Sequence, residues 1–156
     1  MKKVVITGGL GYIGMELAKI YSGKSRYNDI TVIDTNFFSE RVSQLKRWNI
    51  KFKQIDILDK GALERVLNKA DLIYHLAGIT DVGTTKNDID KIRDQKINNV
   101  GINGTRNIIK FSSEKSKIIF PSTHVVFEGL SKTIKNIDEN YELMPVLEYS
   151  KGKVQS

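Results

Sequence analysis

Tyr149 and Lys153 lie four residues apart near the end of the chain. On a helix that spacing puts them on one face, one turn from each other. An ammonium beside a phenol favours the tyrosinate and draws the phenol toward working pH, which makes Tyr149 a candidate base. At the other end stands Thr7-Gly-Gly-Leu-Gly-Tyr-Ile-Gly14, which reads as a dinucleotide pocket. A base and a hydride acceptor in one chain point to redox chemistry at a carbon bearing a hydroxyl.

Gly8, Gly11 and Gly14 form G-x-x-G-x-x-G between an apolar strand and a helical pattern. A phosphate-binding turn needs that context: a tight turn, close backbone approach and a pyrophosphate on the helix N-terminus. The plain alternative is an ordinary strand–helix turn. Asp34 follows Gly14 by twenty residues and closes the second strand. A carboxylate there hydrogen-bonds ribose hydroxyls and repels a 2′-phosphate. Thr35 brings no positive charge beside it, so the expected cofactor is NAD rather than NADP. A helix cap is the other reading of Asp34.

Further strand ends carry weaker signals. Asp56 and Ile57 follow the third strand, as a turn and cap or as an adenine contact. His75-Leu-Ala-Gly78 ends the fourth. Ala77 and Gly78 would let backbone pass close to a ligand, and His75 reads as a packed strand-end histidine. Ser122 and Thr123 follow the fifth strand, where ligands bind in open α/β sheets. A hydroxyl there is either a turn cap or a partner for a substrate oxygen near Tyr149.

The elements that must position these residues alternate. Strands are expected at Val4–Ile6, Ile30–Ile33, Phe52–Ile55, Leu72–Leu76 and Ile118–Phe120. Helical spacing runs over Tyr12–Tyr21 and through Val42, Leu45 and Trp48. Asp59 is the expected N-cap of a helix with Leu63, Val66 and Leu67 on one face. A long helix is expected over Ile92–Phe111, weakened in its middle by Gly101 and Gly104. Residues 80–90 and 128–145 read as loops, and a last helix starts near Val146. The alternation predicts an α/β, Rossmann-type doubly wound parallel sheet with strand order 3-2-1-4-5. One such domain is expected over residues 1–156. It would be incomplete at its C-terminal end, because no sixth strand or substrate lobe follows.

The 156 residues carry 25 Lys and Arg against 18 Asp and Glu, a net charge of +7, and no cysteine. Disulfides and cysteine chemistry are thereby excluded. The two histidines, His75 and His124, belong to no cluster with metal-ligand spacing. The lysines are scattered, with no basic block interleaved with aromatics, so nucleic acid is not expected as a partner. No run approaches the ~20 apolar residues of a membrane span, and the start lacks a cleavage site. The expected address is the cytoplasm.

The order of glycine turn, acidic strand end, hydroxyl after strand five and Tyr-x-x-x-Lys resembles the extended short-chain dehydrogenase/reductase family, the NAD-dependent epimerase/dehydratases of nucleotide sugars. The resemblance runs over essentially the whole chain. It implies that the N–H groups of Tyr12 and Ile13 hold the pyrophosphate and that Asp34 takes the adenosine ribose. Asp56 and Ile57 would line the adenine site. Leu76, Ala77 and Gly78 would run along the cofactor, and Thr123, Tyr149 and Lys153 would form the catalytic group. It also implies a nucleotide-sugar substrate. The chain is expected to form a homo-oligomer or to self-associate through an uncovered face.

Within the family the motifs look more like 4-epimerases than 4,6-dehydratases, because Thr123 is followed by His124-Val125 instead of Asp-Glu. Two further departures stand out. The family's Val-Tyr-Gly reads Val126-Phe-Glu-Gly129, and its helix asparagine falls on Gly101, with Asn98 and Asn99 nearby. Without a substrate lobe the 156 residues are expected to be inactive alone. The alternatives are an alcohol reductase or dehydrogenase of the same family, or a non-catalytic NAD-binding module.

Overall fold

A computed structural model describes residues 1–24, 28–80, 90–131 and 134–156. The residues sort into two compact units. The first comprises 1–78 with 104–121, and the second 79–103 with 122–156.

The first unit is a parallel sheet. β1 (Lys2–Thr7), β2 (Asn28–Asp34), β3 (Lys51–Gln54), β4 (Leu72–His75) and β5 (Lys117–Ile119) lie in the order β3-β2-β1-β4-β5. This is the expected α/β arrangement. Every pairing is parallel, with Val4 opposite both Ile30 and Leu72. β1 sits at the centre, so Val4, Val5 and Ile6 are covered on both faces and read as an unbroken apolar run. Val4, Val5, Ile6, Ile30, Val32 and Ile33 are all buried, each worth about 1.5–3 kcal/mol of transfer free energy.

Helices cross between the strands. α1 (Tyr12–Ser22) buries Gly14 and Ala18, and α2 (Ser39–Arg47) buries Leu45. α3 (Lys60–Leu67) buries Leu63, Val66 and Leu67, and the Asp59 side chain accepts from the Ala62 N–H, as its spacing predicts. α5 (Thr105–Phe111) buries Thr105, Asn107 and Ile108.

The long helix expected over Ile92–Phe111 is α4 (Lys91–Asn98), a π-helical turn at Asn99–Gly104, and α5. The two glycines do not end the helix. They lie within a single π turn between α4 and α5. The boundary between the units falls inside this turn. The loop expected over residues 80–90 lies largely outside the described residues.

In the second unit, Thr123 caps a 3-10 turn at His124–Phe127, and α6 (Glu148–Gln155) follows a loop. α6 packs against α4 and against that turn. Among the described residues no helix is long and apolar enough to cross a membrane.

Candidate functional site

Gly8, Gly11, Tyr12, Ile13, Gly14, Asp34, Asp56, Ile57, Leu76, Ala77 and Gly78 belong to the first unit; Thr123, Tyr149 and Lys153 belong to the second.

The glycine turn leaves β1 at its C-terminal end. Gly8 has φ +61, and a Cβ there would stand 2.7 Å from the Ala77 backbone. The close approach of strand ends β1 and β4 is fixed by the Ala77 N–H, which donates to Thr7 Oγ1 at 3.1 Å, and by the Leu76 N–H, which donates to the Thr7 carbonyl at 3.2 Å. Gly14 lies under Gly9, with 2.5 Å from a Cβ at 14 to the Gly9 Cα. Gly11 is the N-cap of α1 and offers no side-chain cap. Helix geometry leaves the N–H groups of Tyr12, Ile13 and Gly14 without i−4 partners. Tyr12 is 84 % exposed and Ile13 58 %, so that end of the helix faces solvent. A glycine cradle and an uncapped helix N-terminus together suit a pyrophosphate.

Asp34 ends β2 and grips the turn. Its Oδ2 accepts from the Leu10 N–H at 3.0 Å and its Oδ1 from the Asn36 N–H at 3.0 Å. Arg41, from α2, donates to the Leu10 carbonyl and lies 5.1 Å over the Phe38 ring. Sequence reasoning missed Arg41. It lies seven residues beyond Asp34 on another element, and no periodicity marks it.

Asp56 is exposed and accepts from the Leu58 N–H at 2.9 Å, a turn-forming bond. Ile57 is buried; its side chain meets Gly104, and its carbonyl accepts from Asn107 Nδ2 at 3.0 Å. Gly78 is exposed, with open space where a Cβ would be. His75 is a packed strand-end histidine. It lies between Thr7 Oγ1 and Thr105 Oγ1, each at 2.9 Å, and stacks on Phe120. Tyr21 meets Tyr74 hydroxyl to hydroxyl at 3.0 Å. Burial and that hydrogen bond push Tyr21 up to about 12, so it keeps its proton.

In the second unit, Tyr149 and Lys153 share a face of α6, with the Lys153 ammonium 6.0 Å from the centre of the Tyr149 ring. Burial lowers the Lys153 ammonium from the ordinary lysine value. Thr123 Oγ1 accepts from the Val125 N–H at 3.4 Å, a capping bond at the start of the 3-10 turn.

Of the two asparagines before the glycines, Asn98 faces α6. Asn98 Nδ2 donates to Glu148 Oε2 at 2.8 Å, and Asn98 Oδ1 lies 3.6 Å from the Cβ position of Gly152. Asn99 accepts from Asn103 and is exposed. The Asn98 bond and an ion pair to Lys151 hold the Glu148 carboxyl below the usual carboxylate range.

Comparison with known proteins gives a consistent picture. UDP-N-acetyl-alpha-D-glucosaminuronate decarboxylase of Bacillus cytotoxicus is 35% identical over 130 residues, covering 81% of this chain and 38% of that protein. UDP-glucose 4-epimerase 2 of Oryza sativa subsp. japonica is 32% identical over 167 residues, covering 99% of this chain and 38% of that protein. The chain thus spans well under half the length of these relatives. The crystal structure of UDP-glucose 4-epimerase from Brucella ovis, in complex with NAD, superposes with a TM-score of 0.78 at 24% identity over 99% of this chain and 45% of that one. That likeness shows the fold. The profile of the 3-beta hydroxysteroid dehydrogenase/isomerase family matches residues 5–156. The chain therefore belongs to the 3-beta hydroxysteroid dehydrogenase/isomerase family, among the extended short-chain dehydrogenase/reductases whose motifs it carries.

Proposed function

We propose that residues 1–156 form the NAD-binding Rossmann-type part of an enzyme, cytoplasmic in address, that epimerises a nucleotide sugar by reversible oxidation of a hydroxyl. The observation that carries this reading is the Tyr149–Lys153 pair, its ammonium 6.0 Å from the ring, in a chain that also holds the Gly8–Gly14 turn and Asp34. When bound, NAD supplies the hydride acceptor. Tyr12 and Ile13 hold the pyrophosphate through their N–H groups, and Asp34 holds the adenosine ribose. Asp56, Ile57, Leu76, Ala77 and Gly78 line its path. Tyr149 Oη takes the proton of the reacting hydroxyl, the Lys153 ammonium stands beside its ring, and Thr123 hydrogen-bonds the reacting oxygen.

His124-Val125 after Thr123 supplies no acid–base pair for eliminating water, which argues against a dehydratase. A second reading follows from the decarboxylase relative at 35% identity. Oxidising a hydroxyl β to a carboxylate gives a β-keto acid, which loses carbon dioxide, and the same tyrosine and lysine serve that first step.

These relatives are more than twice as long, so turnover by the 156 residues alone is not expected; positioning of the sugar supplies much of the rate. Titration calorimetry with NAD and NADP tests the cofactor half, and equal or tighter NADP binding sinks it. For the chemistry, a chain of the relatives' length carrying these residues should form NADH transiently with UDP-glucose and yield UDP-galactose. With a UDP-sugar acid, release of carbon dioxide would instead favour decarboxylation. Tyr149→Phe should abolish either outcome while leaving NAD affinity nearly intact; undiminished turnover in that variant removes Tyr149 from the mechanism.

A further inference from the structure

Glu128 is the residue by which Val126-Phe-Glu-Gly129 departs from the family's Val-Tyr-Gly. It is the C-cap residue of the 3-10 turn that begins at Thr123. Its Oε1 accepts from the Val146 N–H at 2.9 Å and the Leu147 N–H at 2.6 Å, and it also takes the Ser150 hydroxyl. Leu147 is the N-cap of α6 and has no side-chain oxygen to offer. One carboxylate oxygen thus gathers the last two N–H groups before the helix and a hydroxyl from its first turn. Ser150 is fully buried and also reaches the Leu147 carbonyl at 2.8 Å.

Backbone bonds brace the same junction. The Gly129 N–H donates to the Met144 carbonyl at 2.9 Å, and the Met144 N–H donates to the Val126 carbonyl at 2.8 Å. A Cβ at Gly129 would lie 2.6 Å from the Met144 carbonyl oxygen, so the added glutamate comes with a glycine that only close approach requires. Phe127 meets Tyr141 edge to face at 6.4 Å. An eight-residue helix is marginal by itself, and these contacts fix how the chain enters it.

We propose that Glu128 is a positioning residue: it ties the Thr123 turn to the start of α6 and so sets where Tyr149 and Lys153 stand relative to Thr123. The proposal rests on the reading of Tyr149 and Lys153 as the reacting pair. Glu128 is exposed, so solvent screens its charge. It acts through the geometry of its acceptor oxygen, which a glutamine retains.

Nuclear magnetic resonance on the 156-residue chain tests this with two readouts: amide hydrogen exchange, and the Overhauser contact between the Lys153 ε-methylene and the Tyr149 ring. In Glu128→Ala the amides of Lys151, Gly152 and Lys153 should exchange about five- to tenfold faster, the loss of about one capping interaction. The Tyr149–Lys153 contact should weaken with them while β1 amides stay protected. Glu128→Gln should restore both. Unchanged exchange in Glu128→Ala overturns the proposal. So does faster exchange with the contact intact, which would make Glu128 a helix cap and nothing more. Should Glu128→Ala expose the β1 amides too, Ser150→Ala decides: it must weaken the contact with β1 intact, and an unchanged contact overturns the proposal. Neither readout involves cofactor or turnover, so failure of the functional reading would appear separately, in the NAD and NADP titrations.

Discussion

Around the glycine turn, position is set by backbone packed on backbone. Gly8 meets Ala77, Gly14 meets Gly9, and the strands beneath are buried on both faces. Around Tyr149, position is set by side chains: Glu128 on the entrance to α6, Asn98 on Glu148, and Glu148 on Lys151. The first region has no slack, because a backbone contact cannot be traded for another residue. The second is a set of separable bonds, each worth about 1 kcal/mol. Substitutions in the turn should therefore be all-or-none, and those around α6 graded.

Gly8→Ala is the sharpest way to break that contrast. It places a Cβ on a residue at φ +61 and 2.7 Å from the Ala77 backbone. Left-handed strain costs about 1–2 kcal/mol and overpacking about 1–3 kcal/mol. Denaturant unfolding should show a loss of about 2–5 kcal/mol, and calorimetry a fall in NAD affinity of more than ~tenfold, about 1.4 kcal/mol. A change within about 0.5 kcal/mol would mean that the turn yields as readily as the loops around α6.

Asp34→Ala comes next. It strips the Leu10 N–H of its acceptor, and Leu10 is fully buried. An unsatisfied buried donor costs about 1–3 kcal/mol. The Asn36 N–H is exposed and finds water, so its loss is neutral. NAD should bind about tenfold more weakly, and the preference over NADP should narrow as the repulsive carboxylate goes. Arg41 does not reverse that preference, because its guanidinium is engaged by the Leu10 carbonyl and the Phe38 ring. If the parent chain binds NADP as tightly as NAD, Arg41 is acting on the phosphate instead.

The same contrast explains what the sequence discloses. β1, β2 and the Asp59-capped α3 are legible because their determinants are local: an apolar run, a strand-ending acid, a cap three residues from its donor. The order of strands follows from alternation. The family follows from motifs whose spacing survives in the chain. What escapes is held across distance. Glu128 and the entrance to α6 are 18 to 19 residues apart, and Arg41 and Leu10 are on different elements. The π turn escapes for another reason. Gly101 and Gly104 are weak helix formers by propensity, yet the Ile57 side chain packs where a Cβ at Gly104 would stand. Packing rewards the residue that propensity penalises.

Within the graded region, Lys153→Met should have a modest effect of defined sign. Burial lowers the Lys153 ammonium, so the folded chain holds that proton less firmly than the unfolded one. Stability should then rise as pH climbs through the folded value and level off at the ordinary lysine value. Methionine removes the burial cost, raising stability at neutral pH and flattening the alkaline rise. Thermal unfolding from neutral to alkaline pH checks both; a Met variant that keeps the rise assigns it to another group.

The smallest expected effect belongs to Glu148. Hydrogen bonds from Asn98 first, then Lys151, hold its carboxyl low. A depressed carboxylate contributes stability that is complete above its unfolded value, about 4.3, and that is lost as pH falls through the folded value. Both partners in the Lys151 pair are partly exposed, at 44% and 34%, so solvent and salt screen it and the contribution is about 0.5 kcal/mol. Amide protection in α6, corrected for the pH dependence of intrinsic exchange, should fall as pH drops below about 4.3 in the parent chain and much less in Glu148→Gln. Asn98→Ala should reproduce the larger share of that change, and added salt should erase the Lys151 share alone. β1 amides should stay indifferent throughout. An acid loss that strikes β1 and α6 equally would show that the two regions unfold as one, and would remove the contrast between packed backbone and separable side-chain bonds.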